Sequence, residues 1–203
     1  MGQLLKENNT NQTQSPRQVL ESRFASARHN ILLVVVFTAI NIFLLVTNSN
    51  TYFLFSAYIP YILVDFGMLL CGMYPSEFYT GEFGGMEFLD KSFFAITLGV
   101  AVVILILYLL SWILSKKDRV GWMIFALVFF SIDTVLMFLL NGIAVESIID
   151  VIFHGWVIFS LASGIHAYYK SKKLPLEEPV AAESNEPIAP AVEAETIQET
   201  DSI

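Results

Sequence analysis

The chain has 203 residues, is 55% hydrophobic and carries a formal net charge of −8, with a mean hydropathy of +0.62. This apolar share exceeds that of a usual soluble domain. The acidic balance argues against a nucleic-acid surface, and a single cysteine, Cys71, excludes an internal disulfide framework.

The charge is uneven. From Leu174 onward there are eight acids and no Lys or Arg, which leaves eleven acids against eleven bases in residues 1–173. The low isoelectric point therefore describes the tail.

In chain order, residues 1–29 read as a polar and basic N-terminal segment on the cytoplasmic side. Residues 1–16 are Asn/Gln/Thr-rich, a composition expected to stay disordered, and 17–29 are expected to begin a helix that runs into the first span. Residues 30–170 read as a transmembrane helical bundle with spans at about 30–46, 92–114, 120–140 and 148–169. The exit of the first run, Thr47–Asn48–Ser49–Asn50, lacks a small-residue cleavage pattern, so that run reads as a retained anchor.

The segment 52–74 is different. Its first apolar piece is interrupted by Pro60, and Asp65 follows. A span needs about 20 predominantly apolar residues, and a central Asp opposes insertion. The segment reads as a re-entrant or interfacial hairpin, with a kinked ordinary span as the alternative.

Charge placement favours the first reading. The bases cluster at Lys6, Arg17, Arg23 and Arg28, at Lys116, Lys117 and Arg119, and at Lys170, Lys172 and Lys173, with Lys91 alone. Four crossings put all three clusters on one side, whereas five crossings divide them. The positive-inside rule then places both termini in the cytoplasm of a multi-pass cell-membrane protein. The fold class expected is all-α: four transmembrane helices plus the fifth, re-entrant, interfacial or kinked segment.

The outer loop 75–91 is acidic and aromatic. With Asp65, its Glu77, Glu82, Glu87 and Asp90 are candidate outer-side acidic residues. Residues 171–203 read as a disordered acidic tail.

Polar residues inside spans each need a reason. Counted from the cytoplasmic ends at 1.5 Å per residue, Asn41, Asp133 and His154 fall at about 18, 20 and 22 Å. They form a candidate intramembrane polar layer, either a proton-linked or ligand-contacting centre or a contact that locks helices together. The contexts of Asp65 and Asp133 lack the Gly-x-Gly-Asp pattern of intramembrane aspartyl proteases. His29, His154 and His166 have no paired metal-ligand spacing. No catalytic motif, metal or cofactor is expected. Ser160, Ser163, Gly164 and Ala167 give the last span a small-residue face suited to close helix packing or to an oligomer.

The leading expectation is a small, non-enzymatic membrane protein, bacterial in general appearance, that acts through helix–helix or protein–protein contacts. Its surroundings are the lipid bilayer and a membrane-protein partner or a homo-oligomer, with no nucleic acid. The alternative is a transporter or channel component for protons, cations or a small solute that uses the Asn/Asp/His layer.

Overall fold

Ser15 starts the first helix with a capping box: its side chain accepts from the Gln18 N–H while the Gln18 side chain accepts from the Ser15 N–H, and Pro16 occupies the first helical position. In the computed structural model, which describes residues 15–49, 51–53, 56–80, 83–116, 119–141 and 148–175, helix α1 runs without a break over Pro16–Val46. It thus joins the basic approach to the first apolar run. Then follow α2 (Tyr58–Leu70), a 3-10 turn at Ser76–Tyr79, α3 (Lys91–Leu114), α4 (Val120–Asn141) and α5 (Ile148–Ser171). The described residues contain no strand. Residues 1–14, Glu82 and the acidic tail beyond 175 lie outside the described residues.

Helices α1, α3, α4 and α5 are long and apolar enough to cross a bilayer; α2 is not. At 13 residues, α2 is about 20 Å long, short of the roughly 30 Å hydrocarbon core. Its flanks show where it goes. Asn48, just past α1, donates from Nδ2 to the Met73 carbonyl just past α2 at 3.4 Å. The Leu70 carbonyl at the end of α2 accepts from the Leu89 N–H at 2.8 Å, two residues before α3 begins. The exits of α1 and α2 and the entry of α3 therefore share one end of the bundle. The chain turns back after Asn48, a non-glycine residue at φ 52°, and returns as α2. The path is that of a hairpin that enters and leaves by one end of the bundle.

The opposite end collects the bases. Phe24 of α1 and Tyr168 of α5 lie 5.2 Å apart between ring centroids. The Arg28 guanidinium and the Lys116 ammonium both sit over the Trp112 ring, at 5.9 and 5.6 Å. Thus the start of α1 and the ends of α3 and α5 meet at a single basic end.

Polarity is inverted relative to a water-soluble protein. Thr38, Asn41, Ser111, Ser115, Asp133, Thr134 and His154 are buried, while Val103, Ile106, Val128, Val135, Leu139 and Phe159 are exposed. Such a continuous apolar exterior suits lipid rather than water. One buried apolar cluster joins α1, α3, α4 and α5 around Ile31, Val34, Tyr108, Met123, Phe130 and Leu161. A second seats α2 against α1 and α3 through Ile42, Val64, Met68 and Ala101.

Small residues set the close approaches. At Gly164 of α5 an added Cβ would overlap the Ala27 Cβ of α1 and lie 2.7 Å from the Met123 Cε. Ser160 on the same face accepts a 2.6 Å hydrogen bond from the Asn30 Nδ2. The small-residue face of α5 is thus turned largely onto α1, inside the chain. Gly67 plays the same part for α2, where a Cβ would overlap the Thr97 hydroxyl of α3.

Gly164→Ala should lower the detergent Tm, by overpacking of about 1–3 kcal/mol. Gly155→Ala, whose added Cβ meets open space, should leave it unchanged or raised, because Ala outranks Gly in helices by ~1 kcal/mol. Adding Ala27→Gly to Gly164→Ala should recover part of the loss. Equal shifts for the two alanine variants would contradict close α1–α5 packing.

Candidate functional site

A helix leaves its first four N–H groups without intrahelical partners. For α2 these belong to Ala57, the N-cap residue, and to Tyr58, Ile59 and Pro60. The N-cap side chain makes no capping bond, because alanine has none to make. Other helices take its place. The Ala57 N–H donates to Thr38 Oγ1 of α1 at 2.8 Å. The Tyr58 and Ile59 N–H groups donate to the two carboxylate oxygens of Asp133 on α4, at 2.9 and 2.7 Å. Pro60 has no N–H. All four positions are accounted for, at a depth where no bulk water could serve.

The approach to α2 is held by the same logic. Asn41 of α1 donates from Nδ2 to the Phe53 carbonyl at 2.6 Å and to Ser56 Oγ at 2.9 Å, and its Oδ1 accepts from the Phe53 N–H at 2.8 Å. Ser56 Oγ also lies 3.0 Å from the Tyr52 hydroxyl. Thr38 closes its own balance by donating to the Val34 carbonyl at 2.7 Å. Thr38 and Asn41 are three residues apart, hence neighbours on one face of α1. The amide side chain mimics a strand neighbour, and the hydroxyl then meets the first N–H of the helix.

His154 of α5 completes the cluster. Its Nδ1 lies 2.8 Å from the Asp150 carbonyl. A carbonyl only accepts, so Nδ1 carries a hydrogen. Nε2 lies 3.6 Å from Asp133 Oδ2, too far for a hydrogen bond, and has no hydrogen-bond partner among the described residues. The ring stacks on Phe130 at 5.0 Å, 10° from parallel. A bare Nε2 lone pair facing a carboxylate is uncomplementary. The N-terminal end of α2 adds partial positive charge at Asp133.

Of the expected polar layer, Asn41 and Asp133 therefore bond the segment before and at the start of α2, through Phe53, Ser56, Tyr58 and Ile59, while His154 does not. Asp133 and His154 face each other directly, while Asn41 joins them through the re-entrant segment. Thr38 and Ser56 belong to the same network. Thr38 had a readable signal, the three-residue spacing to Asn41. Ser56 had none, since its role depends on how the chain folds back.

The acidic residues divide. Asp65, on α2, accepts a hydrogen bond from the Tyr74 hydroxyl; burial and that bond push the Tyr74 phenol upward. Asp90 caps α3 by accepting from the Ser92 N–H at 2.8 Å, and its contacts with Ser92 hold it below the usual carboxylate range. Glu77 and Glu87 are exposed in the loop. Among the described residues these acids form no group able to hold a metal ion. Beside them Phe78 stacks on Tyr74 and on Phe83, at 4.8 and 5.6 Å.

The arrangement fixes a helix end. Among the described residues its neighbourhood offers little room: a void of about 10 Å³ between Tyr108, Phe130, Val157 and Leu161. No family model, no curated protein and no solved structure matches this chain.

Two isosteric changes separate the clamp from ordinary buried hydroxyls. Thr38→Val removes the acceptor for the Ala57 N–H and should destabilise by about 1–3 kcal/mol. Thr134→Val should be much milder, because among the described residues that hydroxyl bonds the Phe130 carbonyl of its own helix. Asp133→Asn should match or exceed the Thr38 effect, since one N–H then meets a donor. Similar Tm values for Thr38→Val and Thr134→Val in detergent would contradict the clamp.

Proposed function

We propose that this chain is a non-enzymatic membrane protein that works through protein–protein contact inside the bilayer. Its termini lie in the cytoplasm, and its acidic aromatic loop lies on the outer face. The observation that carries this reading is the engagement of Asn41 and Asp133 by the segment they hold. Asp133 has both oxygens on α2, Asn41 is saturated by residues 53–56, and the adjoining void is smaller than a solute. Such a layer holds a shape.

The orientation rests on the basic end, where positive charge suits the cytoplasmic side. The contact face follows from which surfaces remain. The small residues of α5 pack mainly on α1. Between α4 and α5 an apolar groove of about 560 Å³ opens outward, lined by Leu127, Ser131, Val135, Ile158 and Ala162 among others. Ser131 already bonds the Leu127 carbonyl of its own helix at 2.8 Å, so the groove presents an apolar seat with small residues in it. An apolar transmembrane helix of a partner suits it by packing alone.

The test is a comparison of two tryptophan variants purified in native nanodiscs. Ala162→Trp fills the groove; Val103→Trp adds the same bulk on the lipid-facing side of α3, where Val103 is 56% exposed. A stoichiometric partner should be retained by the wild type and by Val103→Trp and lost by Ala162→Trp, with all three folded. Retention by both variants contradicts the groove. Proton flux in sealed liposomes that is present in the wild type and lost in a folded His154→Gln variant would overturn the whole reading in favour of a transporter.

A further inference from the structure

The basic end is out of electrical balance. Every described Lys and Arg except Lys91 gathers there, eight in all, against one acid, Glu21. Arg17 already holds Glu21 in a 2.9 Å ion pair. Within that end, Arg28 lines a cleft of about 370 Å³ between α1 and α5. Its guanidinium and the Lys116 ammonium sit over the same Trp112 ring, at 5.9 and 5.6 Å. An aromatic face attracts a cation but leaves its charge in place. Two N–H donors at this spot, Arg28 Nε and Trp112 Nε1, are buried and have no hydrogen-bond partner among the described residues. Buried donors without an acceptor are costly, and the guanidinium fork matches a carboxylate.

The counter-charge lies in the same chain. Eight acids and no Lys or Arg follow from Leu174 onward, so the two charges are nearly equal and opposite. The tail also starts at the cleft. Ser171, the last residue of α5, lines it together with Arg28. The Leu174 N–H donates to the Ser171 carbonyl at 3.2 Å, and Pro175 stops the helix from continuing. Glu177 and Glu178 come six and seven residues after Ser171, a reach of about 20 Å. A segment tethered this closely meets its site at an effective concentration on the order of millimolar, enough to fill a site of modest affinity.

We propose that the acidic C-terminal tail folds back as an intramolecular cover of the basic end. A carboxylate of Glu177 or Glu178 accepts from Arg28 at the cleft and lies beside Lys116 across the shared Trp112 ring. The later acids spread over the remaining bases. Anions from outside the chain then reach this end only by displacing the tail. The contact is separate from the clamp at Asp133 and from the α4–α5 groove, and it does not rest on the proposed partner.

The experiment is zero-length carbodiimide cross-linking of the full chain in a neutral detergent at low salt, with the products mapped by peptide mass. The diagnostic product joins Glu177 or Glu178 to Lys116 within one chain, because Lys116 follows α3 and is remote in sequence. It should form in the wild type, and should fall about tenfold in roughly 0.5 M NaCl and in Arg28→Gln. Glu177→Gln with Glu178→Gln should lower Tm at low salt by about 3 °C or more, and the difference should vanish at high salt. Glu199→Gln with Asp201→Asn removes the same charge at the far end of the tail and should leave Tm and the cross-link nearly unchanged. The tail substitutions change no residue of the bundle, so they carry the test if Arg28→Gln does not fold. Absence of the Lys116 product, or equal Tm losses from the two tail variants, overturns the proposal. A Lys116 product found only between two chains overturns it in favour of a second copy.

Discussion

A helix cannot begin inside a bilayer unless something accepts its first N–H groups. That constraint organises this molecule. Helix α2 starts about eight residues, roughly 12 Å, below the end of α1, and no bulk water reaches its N-terminus. Thr38, both oxygens of Asp133, and a proline at the fourth position meet the requirement between them. Each unmet N–H at that depth would cost several kcal/mol. The positions of α1 and α4 are therefore fixed relative to the re-entrant segment. His154 brings α5 to the same point, and the short hydrogen bonds of Asn41 hold Phe53 and Ser56 on the way there.

The rest of the packing is compatible with this centre and partly dictated by it. Lipid gives apolar surfaces no reason to associate, so close approach and hydrogen bonding must hold the helices together. Gly164 against Ala27 and Asn30 to Ser160 join α1 to α5 along their length. Gly67 against Thr97 lets α2 lie flat on α3, its neighbour in the hairpin. The apolar side chains facing outward are as hydrophobic as those facing inward, so hydropathy alone does not say which face of a span is buried.

That last point explains which features could be read from the sequence. The four long spans stood out by length and composition, and the shortfall of 52–74 by Pro60 and Asp65. Depth counting put Asn41, Asp133 and His154 near one level because rise per residue is fixed. It could not say what they touch, because depth leaves azimuth open, and in a uniformly apolar helix no moment reveals it. Pro60 read as an interruption of an apolar run; its place in the structure is the first turn of a helix, where its missing N–H is an advantage. Asp133 read as one member of a polar layer; in the structure it is the cap of a helix 75 residues earlier, a relation that no local pattern encodes. The small-residue face of α5 was visible from Ser160 to Ala167, but which helix would occupy it was not.

The central claim is that residues 47–73 enter and leave the membrane on one face, held at the innermost point by Asp133. Cysteine accessibility in sealed, oriented vesicles tests it most directly. In a Cys71→Ala background, single cysteines at Ser49 and Ser76 flank the segment just past α1 and just past α2. A membrane-impermeant thiol reagent should label both from the same side of the vesicle. A cysteine at Lys116, exposed past the end of α3, should be labelled only from the other side, after the vesicles are opened or inverted. Labelling of positions 49 and 76 from opposite sides would show that α2 crosses the bilayer, and would contradict the account.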